Sequence, residues 1–442
     1  ELAAAPSAAV YGRIGTTTAE FGTLASWLVD VVNLVTGNLD RPGGAMFAKA
    51  AAGAANTRGR ERYGRGFNVG RHRSRVRGLA GSMGELPVAC LAEEIDTPGE
   101  GQLRAMVTVA GNPVLSTPNS DRLDAAMAGL DGYVAVDIYL NETTRHADVI
   151  LPPPSALQRG HYDLALLQLA LHNVANYSPP VLPLDDGQPD EWAILARLAL
   201  IAQGMGPDAD VEVVDDLVVG ALVDAAVGDE HGPVAGRDRA EILEALAPRT
   251  GPERLLDLIL RTGPYGDGFG ARAGQVVPGV APLTLDVLLE NPHGVDLGPL
   301  EPRLPEVLRT ESGMVEVAAE PLMADLARLE AVLDRPVPQA VLVGRRDLRS
   351  NNSWMHNVNV LVKGRPRCTL HVHPDDASRW ELVDGGSARV ASRVGAVEVP
   401  VEVTDAVRPG VVSLPHGWGH DLAGVRLEVA RAHAGTNSNV LT

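Results

Sequence analysis

The chain has 442 residues, 45% of them hydrophobic and 21% charged, with a formal net charge of −18. That length accommodates two or three domains with separate cores, and no uninterrupted apolar run reaches the length of a membrane span. The acidic balance excludes a general nucleic-acid binder, which needs cationic surface to displace phosphate counterions. Two unpaired cysteines, Cys90 and Cys368, exclude an iron–sulfur cluster or a cysteine zinc site held by this chain alone.

In chain order, residues 20–36 space their apolar groups as a helix does and run into Gly37-Asn38-Leu39-Asp40-Arg41-Pro42-Gly43-Gly44, which stops it. Residues 48–85 form a glycine- and arginine-rich excursion, with eight arginines between Arg58 and Arg77. It reads as a solvated loop or, more sharply, as a lid over an anionic ligand. Cys90 sits in an apolar context that suits a core thiol.

Ala105 to Ala110 reads as a buried strand that must turn at Gly111-Asn112-Pro113. A helix is expected next, capped by Asn119 or Ser120, with Leu123, Met127 and Leu130 on one face. Tyr133 to Val136 is a second strand, ending in Asp137 at the crevice where open α/β sheets bind ligands. Leu151-Pro152-Pro153-Pro154 ends a further strand. Residues 190–335 are mostly helical, broken at Thr262–Gly268.

After Pro336 short valine-rich runs follow, at Ala340–Val343, Cys368–Val372, Ala388–Ala391, Val397–Val403 and Val411–Leu414, the pattern of a compact β-barrel. Between them lie two donor-rich segments. Gly344-Arg345-Arg346 with Asn351-Asn352-Ser353-Trp354-Met355-His356-Asn357 offers forked cations, amides and a flat ring, which together suit a ligand better than an ordinary turn. Leu414-Pro415-His416-Gly417-Trp418-Gly419-His420 places two histidines four apart, but its glycines argue against a helix and hence against a shared metal face. His371 and His373 alternate along a strand and are expected to be structural. Nucleophile-elbow, Walker and dinucleotide glycine signatures are absent from the sequence.

These motifs closely resemble the molybdopterin oxidoreductase family, which includes formate dehydrogenases and nitrate reductases. The resemblance rests on the Gly111-Asn112-Pro113 turn with Ser116, on Asp137, and on Glu142-Thr143-Thr144 through Asp148 to Pro152. It rests also on Gly37-Asn38 with Pro42-Gly43-Gly44, and in the last third on His356-Asn357, His373-Pro374-Asp375-Asp376-Ala377, Pro415-His416-Gly417 and Gly435-Thr436-Asn437-Ser438-Asn439. It implies an α/β chain with three regions. Residues 1–200 would be a doubly wound cofactor-binding region, 201–335 a helical connection, and 336–442 a six-stranded-type β-barrel that binds molybdopterin dinucleotide.

The implied cofactor is molybdopterin guanine dinucleotide, in its bis-form, with molybdenum or tungsten, and the protein orients and tunes it. Asp137 would accept the paired N–H donors of guanine. The pyrophosphate would rest near Gly111, Asn112, Pro113 and Ser116, with Thr143 and Asp148 alongside. Donors for the pterin would come from 351–357, 416–420 and 437–439, among them Asn352, Ser353, His356, Asn357, His416, Gly417, Asn437 and Asn439, with Gly344 and Arg345 as further cofactor-binding residues. No catalytic residue and no metal ligand is assigned. A 4Fe–4S cluster and the metal's protein ligand would come from an N-terminal region or a partner subunit, since no initiator methionine or signal pattern opens the chain and its start is expected upstream. The electron partner is unread, and the low cysteine count suits the cytoplasm. The function implied is the cofactor-holding C-terminal part of a formate dehydrogenase-like oxidoreductase. The alternatives are a non-catalytic cofactor-binding subunit or carrier, and a partner-binding structural subunit.

Overall fold

A computed structural model describes residues 1–53, 69–82, 84–272, 274, 277–310 and 312–442. Arg58, Arg60, Arg62 and Arg65 of the arginine-rich stretch lie outside the described residues. Packing divides the chain differently from its linear order, into one unit of Glu1–Gly66 with Pro153–Ala327 and a second of Phe67–Pro152 with Arg328–Thr442.

The first unit is helical. The expected first helix runs Gly22–Val35 and ends at Gly37, whose φ of +69° is open to glycine at no steric cost. Helices Glu191–Ala202 and Arg239–Ala245 start where Asp190 and Asp238 accept backbone N–H bonds, and Thr284 does the same for Leu285–Glu290. Gly251–Thr262 stops at the expected break, and its Leu256 and Leu260 pack with Leu283, Leu285, Leu288 and Tyr177 into a dry core.

In the second unit a parallel sheet pairs β1 (Ala105–Val109), β2 (Gly132–Val136) and β3 (Val149–Leu151) in chain order. Helices Leu91–Asp96 and Ser120–Met127 bury Ala92, Ile95, Leu123 and Met127 against Tyr133 and Ala135. Because strand order follows chain order, successive crossovers fall on one side. The expected doubly wound arrangement is therefore a single helical layer among the described residues, and Val107 and Val109 on the far face are 56% and 48% exposed. Arg75 and Arg77, the described end of the arginine-rich stretch, pair with the buried Glu94 and Glu93. They hold structure in place instead of covering a ligand.

The C-terminal sheet contains β4 (Val341–Arg345), β5 (Leu370–Val372), β6 (Ser387–Ala391), β7 (Ala396–Val403) and β8 (Val411–Pro415). Each expected valine-rich run becomes a strand, in the order β4-β8-β5-β7-β6 with mixed parallel and antiparallel ladders. Where a six-stranded barrel is expected, the described residues form a five-stranded sheet with no ladder closing β6 onto β4. The polar stretch after β4 supplies no further strand, because it coils into short helical turns at Trp354–Asn357 and Asn359–Val362. His373 accepts from the Asp375 amide and so caps Pro374–Arg379, the structural role expected of it. Cys90 and Cys368 are free and buried, and burial pushes both thiols up. No helix among the described residues is long and apolar enough to cross a membrane.

Candidate cofactor site

Two sets of turns in the second unit meet around a buried hydrogen-bond chain. At the carboxyl end of β1, Ala110 takes φ +53°, a conformation unusual for a residue with a Cβ, and the chain turns through Gly111 and Asn112 into a helical turn at Pro113–Ser116. Proline suits the first position of that turn, where no N–H partner is needed. The Val114 amide donates to Thr143 Oγ1 at 3.1 Å, Thr143 Oγ1 donates to Asn112 Oδ1 at 2.7 Å, and Asn112 Nδ2 donates to Glu142 Oε2 at 2.7 Å.

From the C-terminal sheet, His420 Nδ1 lies 2.8 Å from Glu142 Oε1, and both side chains are 0% exposed. His420 Nε2 shares a 2.9 Å hydrogen bond with His356 Nδ1, whose Nε2 lies 2.7 Å from Ser350 Oγ. Trp418 stacks on His356 with ring centroids 3.8 Å apart. Burial, helped by His420, pushes His356 down to about 3, which keeps its imidazole neutral. Gly417, at φ +86°, admits no side chain: a Cβ there would sit 2.3 Å from the Asn352 carbonyl oxygen.

Beside this chain opens a cleft of about 340 Å³ lined by Val114, Ser120, Asp121, Asp421, Gly419 and Thr436, among others. That volume lies in the ~300–1,000 Å³ range of small-molecule sites. Ser120 is 1% exposed and its Oγ has no hydrogen-bond partner. The expected cap at this helix does not form. Asn119 takes φ +61° and makes no side-chain cap, while its amide donates to the Thr442 carbonyl, so the Ser120 hydroxyl is left on the cleft wall.

Several expected ligand donors are committed to the protein itself. Asp137 is buried, its Oδ1 accepting from the Ile138 and Tyr139 amides and its Oδ2 from Asn141 Nδ2. These bonds take three of the carboxylate's roughly four acceptor positions and leave Oδ2 able to accept from a ligand. Burial also raises its pKa. Arg345 directs its guanidinium to the Ser413 and Thr369 carbonyls at 3.0 Å each, pinning strands instead of forking a phosphate. Asn357 Oδ1 accepts from the Val429 and Ala430 amides. Asn437 Nδ2 donates to the Val114 carbonyl and Asn439 Nδ2 to the Leu115 carbonyl, so both tie the helical turn to the C-terminal segment. Asp148 Oδ2 accepts from the Tyr133 amide.

Asn112, Thr143 and His356 belong to the buried chain, and Gly417 to its flank. Ser353 is buried beside them in sequence. Ser116, Gly344 and Asn352 are exposed, the last pairing with Arg346; Gly111, Pro113 and His416 are half-buried. Burial lowers the His416 pKa. Glu142 and His420 stand in the sequence motifs without a role in this network, and the cleft residues Ser120, Asp121 and Asp421 are not among the expected ligand groups. Among the described residues no group of three or more His, Cys, Asp or Glu side chains is placed to hold a metal ion.

Comparison with known proteins bears on this geometry. The molybdopterin oxidoreductase family profile matches residues 2–157, and the molydopterin dinucleotide binding domain profile matches residues 341–442. The putative catalytic chain of a dimethyl sulfoxide reductase of Halobacterium salinarum is 27% identical over 68% of this chain and 31% of its own length. Dimethyl sulfoxide/trimethylamine N-oxide reductase of Rhodobacter capsulatus is 22% identical over 90% of this chain and 48% of its own. The alpha subunit of a formate dehydrogenase of Methanocaldococcus jannaschii is 22% identical over 74% and 40% respectively. This chain thus spans less than half the length of these relatives. Acetylene hydratase from Pelobacter acetylenicus shares the fold, with a TM-score of 0.51 at 16% identity over 79% of this chain and 42% of that one. The two domain matches, one for each set of turns that meets at the cleft, and these relatives identify the chain as a member of the molybdopterin oxidoreductase family.

Proposed function

We propose that this chain is the cofactor-holding part of a molybdenum or tungsten oxidoreductase and that it binds molybdopterin guanine dinucleotide at the cleft beside Ser120. The observation that carries the reading is the Ser120 hydroxyl, buried and without a partner on a cleft built by both family domains. An orphaned buried hydroxyl costs about 1–3 kcal/mol unless something pairs with it. The wall also carries Asp121 and Asp421, exposed carboxylates suited to the adjacent N–H donors of a guanine edge. The donor set therefore fits the guanine end of the cofactor. Gly419 and Gly435, at φ +120° and +63°, pack directly on Asn437 and on Cys368 and Trp418, where a side chain would clash.

When bound, the cofactor supplies the redox chemistry. The chain's own residues fix its position: Asn112, Thr143, Asn437 and Asn439 set the Pro113–Ser116 turn, and Gly417 through His420 set the opposing one. The cofactor is proposed in its bis-form, and a 4Fe–4S cluster and the metal's protein ligand are proposed to come from a preceding region or a partner subunit. Oxidation of formate or another small substrate is the activity proposed for the whole enzyme, in the cytoplasm.

The test is analysis of the chain purified from a host that makes the cofactor. Molybdenum or tungsten together with GMP released on acid treatment supports the reading. Guanine cofactor without metal would favour the carrier. Folded protein with neither, and with no affinity for GDP, refutes it.

A further inference from the structure

The buried chain from Ser350 to Val114 has a direction that its atoms dictate. A backbone N–H can only donate, so the Val114 amide fixes Thr143 Oγ1 as its acceptor, and the hydroxyl hydrogen of Thr143 must point to Asn112 Oδ1. Asn112 then turns its amide to Glu142 Oε2. This side of Glu142 cannot be reversed without orphaning a buried group. The other side runs through two imidazoles to Ser350, whose hydroxyl can rotate to donate or accept. Polarity is thus rigid at one end and free at the other.

We infer that Glu142 is a positioning residue that holds a proton on His420 Nδ1 and thereby locks the His416–His420 turn onto the Pro113–Ser116 turn. Both turns are cofactor-facing only on the reading proposed above; the hydrogen-bond relay itself does not depend on it. As a carboxylate, Glu142 serves His420 through Oε1 only as an acceptor, so His420 Nδ1 donates. His356, kept neutral by burial and flanked by the stacked Trp418, passes the link to Ser350, with Asp347 and Arg367 the other charged groups acting on it.

Glu142→Gln makes the inference testable. Glutamine has one acceptor, and the rigid side claims it for Asn112 Nδ2. The new amide N–H must then face His420 Nδ1, which becomes an acceptor with its proton on Nε2; His356 follows, donating from Nε2 to Ser350 Oγ. Every hydrogen bond is retained with its sense reversed on the histidine side, so the variant is expected to fold.

The experiment is nitrogen NMR of the full chain labelled at histidine, with the two rings assigned by signal loss in His420→Gln and His356→Gln. The wild type should show His420 Nδ1 as a protonated, pyrrole-type nitrogen, and Glu142→Gln should move that signal to the pyridine-type range. Ser350→Ala should leave His420 Nδ1 protonated, and it supplies a second variant should Glu142→Gln fail to fold. A pyridine-type Nδ1 in the wild type, an unmoved signal in folded Glu142→Gln, or a switch caused by Ser350→Ala would each overturn the inference. Loss of GDP binding by a wild type with the expected tautomer would refute the cofactor reading and leave the relay standing.

Discussion

Two regions of the molecule, the leucine core of the first unit and the polar chain of the second, are held by opposite kinds of interior. In the first, Leu256, Leu260, Leu283, Leu285 and Leu288 fill a dry core whose stabilisation adds up from apolar area removed from water. In the second, the centre contains Glu142, His420, His356, Asn112 and Thr143, none more than 7% exposed, in a chain where each group satisfies the next. Apolar contacts lose energy roughly in proportion to what is deleted. A polar chain loses most when one member leaves its neighbours unpaired in a low-dielectric interior. The comparison teaches that the proposed site is supported by the less forgiving of the two interiors, and each prediction below presses on that contrast.

The largest effect is expected from Glu142→Ala, which removes the acceptor of both His420 and Asn112. Breaking a buried charge-linked pair costs about 3–5 kcal/mol, so urea unfolding should show that loss for the second unit. A loss under about 1 kcal/mol would mean that the polar chain is no more fragile than surface contacts. Leu260→Ala, at a fully buried position of the first unit, should cost about 3 kcal/mol through lost transfer energy and a cavity. Leu260→Met, which nearly conserves volume, should recover most of it. No such partial rescue is expected when a bulky apolar residue replaces Glu142.

Acid sharpens the contrast further. His356 titrates near 3 in the folded protein against 6.5 for an unperturbed imidazole. Between those values the unfolded chain binds a proton that the folded chain does not. Its contribution is therefore intact above about 6.5, and stability falls as pH drops toward 3, by up to about 1.4 kcal/mol per pH unit. His356→Phe should flatten that slope, and chemical unfolding at a series of pH values reads it directly. The smallest effect belongs to Asn437→Ala. It deletes a bond to the Val114 carbonyl and two from Asn439, one from its backbone amide and one from Nδ2, worth about 1 kcal/mol in sum at a partly exposed position. Its effect on GDP affinity should exceed its effect on stability, because the turn it holds borders the cleft.

The same contrast explains what the sequence disclosed. β1, β2 and the five C-terminal strands were legible because apolar runs bounded by glycine, proline and aspartate are local signals. The Gly22–Val35 helix was legible from periodicity and its stop, and the end of Gly251–Thr262 from the break that follows it. The polar interior was not, since Glu142 and His420 are 278 residues apart and nothing local shows that they meet. The protein partners of Arg345 and Asp137 were hidden for a related reason. The two residue types suit phosphate and guanine, but the sheet carbonyls and loop amides that occupy them come into reach only in the fold. Asn119 and Ser120 were read as caps, yet the amide of Asn119 is drawn to the Thr442 carbonyl by a contact no local pattern records.

The most direct test of the proposed site is calorimetric titration of the full chain with GDP, in parallel with Ser120→Ala and Asp421→Asn. Saturable binding is expected of the wild type, with at least about tenfold weaker binding by each variant at unchanged thermal stability, a difference of about 1.4 kcal/mol. Equal affinity in all three proteins, or none in a folded wild type, would contradict it.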